Sequence, residues 1–218
     1  MNKVLSVWKP ENISSYDIIR KIKSINKSYK IGHCGTLDPF AEGIVVICIG
    51  NYTKKINVYM ECDKTYIATI KLGYETDTLD YTGKIIKISS NQPLLDKKCI
   101  INVINKYIGH TMQIPPYFSA KKINGIKMYD FARKDIFIKP KPFKIKIHYI
   151  DLIKYSKDLI TLKINCAKGT YIRSLARDIA YDLKTFGHLT KLHRTSIGQF
   201  NKTNSLSMKE LESCISIN

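Results

Sequence analysis

The run GIVVICIG at residues 43–50 limits the possible folds more than any other stretch. It is short, rich in β-branched residues and bounded by glycines, so it reads as a buried strand rather than a piece of helix. Directly before it, GHCGTLDPFAE places a lone carboxylate, Asp38, in a glycine-rich turn. Gly35 opens backbone conformations closed to other residues, Pro39 fixes its own torsion and restricts Asp38, and the strand anchors the turn. Together these pre-set the direction of the carboxylate. Taken alone, an Asp-Pro turn is more often explained by an Asp that bonds a nearby backbone amide.

Helical and strand-like patterns surround this element. Residues 4–8 read as a short strand, and Ser14 or Ser15 caps a helix with Ile18, Ile19, Ile22 and Ile25 on one face. KTYIATIKLG alternates Tyr66, Ala68, Ile70 and Leu72 with Thr65, Thr69 and Lys71, the period of a half-buried strand. An acidic, turn-rich loop, YETDTLDYTG, leads to a strand at KIIKIS. Ile100, Val103, Ile104 and Tyr107 repeat at helical spacing up to Gly109. FKIKIHYIDL and LITLKINC predict two more strands, the first with Lys144, Lys146 and His148 along one face. In KGTYIRSLARDIAYDLKTFG, Thr170 caps a helix whose core stripe is Ile172, Leu175, Ala176, Ile179 and Leu183, with Arg173 and Arg177 on another face. HLTKLHRTSIGQF reads as strand and turn. The sum is a mixed, largely antiparallel α+β domain.

A chain of 218 residues fits one domain with a modest insertion and can bury a sizeable core. The six cysteines are scattered without a CxxC pair, which suggests reduced thiols rather than a disulfide framework or a zinc site. Neither a signal peptide nor a run of membrane-spanning length is seen, so the chain reads as a soluble, cytoplasmic protein. Phosphate-cradling and dinucleotide-binding glycine motifs are absent, as is HExxH, and His188 and His193 lack metal-ligand spacing, so no cofactor or metal is indicated. The net charge of +18 favours a polyanionic partner, nucleic acid first, although a lysine-rich composition alone would explain part of the excess. Only five arginines stand against 31 lysines, which singles out the arginines as positions where a planar fork is needed. Residues 110–142 depart from compactness: a Pro-Pro break, an Asn-Gly hairpin signal at Asn124 and Gly125, and a short helical stretch with Tyr129 and Arg133 interleave aromatics and lysines. Such a segment suits an arm gripping folded RNA, or a plain surface insertion.

GHCGTLDPFAEGIVVICIG, DKTYIATIKLG, QIPPYFSAKK, CAKGTYIRSLARD and LHRTSIGQF, after the opening KPENISSYDIIRKIK, resemble in order and spacing the TruB family of tRNA pseudouridine synthases. The resemblance runs through about Phe200. It implies the pseudouridine synthase fold, a central mixed, mostly antiparallel sheet flanked by helices and loops. It also implies a cofactor-free, metal-free isomerisation of the T-loop uridine at tRNA position 55, with the T-arm as partner and the enzyme a monomer. By resemblance Asp38 is the essential aspartate, acting as nucleophile or as base. Tyr66 stacks on the target base and takes part in the final deprotonation, though by itself it would pass for a core-facing strand residue. Arg173 pairs with the catalytic carboxylate and keeps it charged; by itself it would pass for an exposed helix residue. Tyr171 and Leu192 line the nucleotide pocket, and His33 fills the space left by the extruded uridine. Lys9 and Lys64 fit structural pairing or backbone contact.

Cys34, Ala167 and His193 depart from the residues usual in the family at those positions. The ending SLSMKELESCISIN leaves no room for the C-terminal RNA-binding domain of longer members, so residues 1–218 read as a single catalytic domain. Two other functions remain open: a guide-RNA-dependent synthase and a catalytically silent tRNA-binding or folding protein.

Overall fold

A computed structural model describes residues 2–90, 95–123, 125–134, 136, 138 and 140–216. In chain order the elements begin β1 (Lys3–Lys9), α1 (Ser15–Ile25), β2 (Ile31–His33), β3 (Glu42–Ile49), α2 (Ile56–Glu61) and β4 (Lys64–Leu72). They continue β5 (Tyr74–Thr76), β6 (Ile85–Ile88), α3 (Lys97–Asn105), β7 (Gly109–Gln113), β8 (Lys122–Ile123), β9 (Ile126–Lys127) and α4 (Met128–Ala132). The last are β10 (Phe143–Tyr155), β11 (Leu159–Cys166), α5 (Ile172–Asp182), β12 (Gly187–Ile197), β13 (Phe200–Asn201) and α6 (Met208–Ser216). The chain divides into two compact units, Met1–Ile67 with Lys191–Asn218, and Ala68–Thr190. The fold is α+β with a mixed, mostly antiparallel sheet: β1, β2 and β13 run antiparallel to their partners, as β7 and β11 do to β10, while β12 runs parallel to β3.

In the first unit β3 is the central strand. Its run from Ile44 to Ile49 is fully buried, which accounts for an apolar stretch without alternation. Val7 pairs with Val45 across β1, and Gly32 with Cys48 across β2. Ile44, Val46 and Cys48 pack with Cys34 and Ile197, covered by Trp8, Tyr52, Tyr59 and Phe200. Gly43 sits at φ 124°, opposite Arg194, and a Cβ there would meet the Arg194 carbonyl oxygen at 2.2 Å, so only glycine allows the parallel pairing. Ser14 caps α1 in a reciprocal box: its side chain accepts from the Asp17 amide, while its own amide donates to the Asp17 carboxylate. Ile18, Ile19 and Ile22 are buried as the spacing predicts, but Ile25, at the last position of α1, is 38% exposed.

In the second unit β11, β10 and β7 form an antiparallel ladder, with Ile150 opposite Ile164 and Phe143 opposite Gln113. The expected alternation along β10 holds for the exposed Lys144 and Lys146 and breaks at His148, which is only partly exposed. A bulge between Ile147 and Tyr149 shifts the register there, and one extra residue turns the side chains out of step. α5 buries the predicted stripe of Ile172, Leu175, Ala176 and Ile179, and Leu183 is buried at its C-cap. Its N-cap, however, is Tyr171 rather than Thr170, because the Thr170 hydroxyl donates back to the Ala167 carbonyl. β8 and β9 pair as the Asn-Gly signal predicts, with Asn124 itself outside the described residues.

Candidate active site

The turn carrying Asp38 is braced from three sides within the first unit. Cys34 donates its amide to the Val46 carbonyl at 2.8 Å, and the Ala41 amide closes back on the Asp38 carbonyl at 3.1 Å. Ser15, at the head of α1, holds both polar groups of Leu37: its hydroxyl donates to the carbonyl at 3.1 Å and accepts from the amide at 2.8 Å. The fully buried Lys9 ammonium donates to the carbonyls of Pro10 and Ile13 at 2.8 Å each and of Pro39 at 3.2 Å. Arg194, 2% exposed, donates to the carbonyls of Ile44, Thr36 and Gly35. These contacts fix the backbone on both sides of Asp38, whose residue remains partly exposed.

Two buried cations, Lys9 and Arg194, flank the turn. Burial, and then the Arg194 cation, push the Lys9 ammonium down to about 8, against the opposing pull of Asp38. Burial and Arg194 likewise lower the His33 imidazole, whose Nδ1 is buried without a hydrogen-bond partner among the described residues. Tyr66 and Leu192 are buried on the neighbouring strands β4 and β12. Lys64 is held by the carbonyls of Met60 and Cys62. Asp38, His33, Tyr66 and Leu192 thus all belong to the first unit.

Tyr171 and Arg173 belong to the second unit, at the start of α5. Arg173 is not an exposed helix residue: it is 5% exposed, and its two terminal nitrogens donate to the carbonyls of Thr78 at 2.8 Å and Phe118 at 2.9 Å. Nη1 also lies 3.9 Å from the buried Asp80 carboxylate. The other oxygen of that carboxylate accepts from the hydroxyl of Thr78 and from both the amide and hydroxyl of Thr82. Held by these bonds, the carboxylate is fixed beside the guanidinium and helps hold it in one orientation.

Sequence reasoning missed Asp80, which was read only as part of an acidic turn. A signal was present: threonines two residues away on each side, in TLDYT, can both hydrogen-bond one carboxylate. It also missed Gln113, whose amide oxygen accepts from the Tyr171 N–H at 2.9 Å and whose amide nitrogen donates to the Tyr171 carbonyl at 3.1 Å. Among the described residues no group of three or more His, Cys, Asp or Glu side chains is arranged to hold a metal ion. No helix of the described residues is long and apolar enough to cross a membrane.

Comparison with solved structures places the fold among the Cbf5-type pseudouridine synthases. A chain of a Cbf5-Nop10-Gar1 complex superposes with a TM-score of 0.74 at 24% identity over 96% of this chain. A chain of the archaeal box H/ACA sRNP Nop10-Cbf5 complex gives 0.70 at 21% identity over 97%. This chain spans about half, 53%, of each of those chains. Residues 20–172 match the family model described as "TruB family pseudouridylate synthase (N terminal domain)", and residues 173–217 match "tRNA pseudouridylate synthase B C-terminal domain". The chain belongs to the TruB family of pseudouridylate synthases. It is 42% identical over 211 residues to the tRNA pseudouridine synthase B of Clostridium tetani, covering 97% of this chain and 73% of the relative. It is 40% identical over 212 residues to that of Francisella tularensis subsp. tularensis (strain WY96-3418), covering 97% and 70%.

Proposed function

We propose that this protein isomerises uridine in tRNA to pseudouridine, acting on the T-loop uridine at position 55, as a cytoplasmic monomer that grips the T-arm. The reading is supported by the relatives of about 40% identity named tRNA pseudouridine synthase B. The observation that carries it is the bracing of the Asp38 turn by Ser15, Lys9 and Arg194, since a reacting group must be held in place before the substrate arrives.

The uridine is flipped out of the loop, because a base cannot be worked on within a stack. Asp38 then acts as nucleophile or base while the N-glycosidic bond breaks, the uracil turns, and a carbon-carbon glycoside forms. Substrate and product have the same atoms, so no co-reactant is consumed. Tyr66 stacks on the base and takes part in removing the proton from the ring carbon that has joined the sugar, while the freed ring nitrogen gains a proton. Tyr171 and Leu192 line the pocket, and His33 occupies the vacated space. Arg173 supplies the cation that pairs with the catalytic carboxylate. The insertion at 110–142 supplies phosphate and stacking contacts to the RNA.

The test is incubation of purified protein with an unmodified tRNA transcript, followed by assay for pseudouridine at position 55, beside an Asp38→Asn variant. Product from the wild type alone, lost in the variant while tRNA binding persists, is the expected result. Binding without product would mean a silent RNA-binding protein, and product only with added guide RNA and partner proteins would mean a guided enzyme. Either outcome overturns the proposal.

A further inference from the structure

We infer that Gln113 is a positioning residue for the proposed isomerisation: its side-chain amide fixes the backbone at the head of α5 and so sets where Tyr171 and Arg173 stand. The inference rests on the function proposed above and adds a residue to it.

The head of α5 has no cap of its own. Tyr171 occupies the N-cap without a side-chain cap bond, and Thr170 is turned back to Ala167. Gln113, the last residue of β7 and 2% exposed, reaches across from a different element to supply what is missing. Its amide meets both polar groups of Tyr171, accepting from the N–H and donating to the C=O. The same carbonyl also accepts the first helical bond, from the Leu175 amide at 3.0 Å.

The chemistry of this clamp is narrow. It needs a donor and an acceptor side by side on one planar group, which only Asn and Gln offer at neutral pH. Asn is one methylene shorter. A Glu carboxylate would set a second acceptor against the Tyr171 carbonyl and leave that carbonyl facing a buried negative charge.

Two further bonds tie the residues after Gln113 to the same helix. Arg173 donates to the Phe118 carbonyl at 2.9 Å, and Arg177 donates to the Ile114 carbonyl at 3.3 Å. The Phe143 ring, on the strand residue paired with Gln113, meets the Tyr171 ring edge-on with centroids 6.1 Å apart. Residues 113–118 and the first two turns of α5 therefore form one piece, with the Gln113 clamp at its root. A bond that served stability alone would leave turnover by the folded fraction unchanged. A bond that sets the height and rotation of α5 would be read in turnover, because small misplacements of reacting groups are costly.

Gln113→Leu and Gln113→Glu are compared with wild type for kcat and KM on tRNA transcript, with thermal melts to confirm that each is folded at the assay temperature. The expected result for Gln113→Leu is a kcat lowered about 10- to 100-fold, with KM within about threefold of wild type. Gln113→Glu, normalised to wild type at each pH, should recover several-fold from about pH 8 to about pH 5.5, as protonation restores the donor. Folded Gln113→Leu with kcat within about twofold of wild type, or with a loss confined to KM, overturns the inference. Should Gln113→Leu fail to fold, the Gln113→Glu series decides, and a ratio to wild type flat in pH overturns it. A wild-type protein that forms no pseudouridine removes the parent reading and this inference with it, a failure visible before any variant is measured.

Discussion

The guanidinium of Arg194 donates through Nε to the carbonyl of Ile44 at 2.7 Å, from within the core of the first unit. Its two terminal nitrogens reach the carbonyls of Thr36 and Gly35 at 3.1 Å each, so one side chain spans both arms of the turn that carries Asp38. Lysine offers a single nitrogen and cannot reproduce that fork. Arg194→Lys is therefore expected to lower unfolding stability by about 2–3 kcal/mol, through buried carbonyls left without partners. Urea unfolding monitored by circular dichroism measures it, and an unchanged midpoint would show that the fork is dispensable.

A similar argument applies to Arg173, which divides its fork between Thr78 and Phe118 while facing Asp80. Arg173→Lys keeps the charge and loses the geometry. Pseudouridine formation should fall by about 100-fold with tRNA binding little changed. Near-normal turnover would detach this arginine from the chemistry.

Much of this scaffold is legible in the residues themselves, and the reasons for the misses are physical. The β3 strand, the α1 face and the α5 stripe follow from local periodicity, which burial enforces directly. The scarcity of arginine was informative too, since Arg173 and Arg194 are both buried forks serving backbone carbonyls. Asp80 and Gln113 escaped notice because their meaning lies in partners far along the chain, Arg173 and Tyr171. No periodicity announces a contact across that distance. The break at His148 and the displaced cap at Thr170 are local accidents of a bulge and a competing hydroxyl bond, and pattern counting averages over both.

The capping box of α1 gives a stability prediction with a defined pH range. Ser14→Ala removes the side-chain half of the box and should cost about 1 kcal/mol. The bonds from Ser14, side chain first and then backbone, hold the Asp17 carboxyl below its ordinary value. A depressed carboxylate contributes stability above its unfolded value and loses it as pH falls through the folded one. The destabilisation by Ser14→Ala should thus be full near neutrality and shrink in acid. A loss independent of pH would rule out the reciprocal bond to Asp17.

Lys9 should leave its mark at alkaline pH. Its folded value of about 8 lies below the 10.5 of a free lysine, so between those limits the unfolded chain binds more protons. Stability from this group is constant below about pH 8 and rises with pH across the window. Denaturation of wild type and Lys9→Met in parallel from pH 7.5 to 10 should show the wild type gaining on the variant, with roughly parallel curves as the contrary outcome.

The cysteines differ sharply in accessibility. Cys34 and Cys48 are fully buried with their sulfurs 3.4 Å apart, and burial raises both thiols, whereas Cys99 near the start of α3 is exposed. A maleimide dye under native conditions would accordingly attach first at Cys99 and spare the sealed pair. The chain carries its own attachment point for a fluorescent reporter, in a position where labelling leaves the packing around β3 untouched.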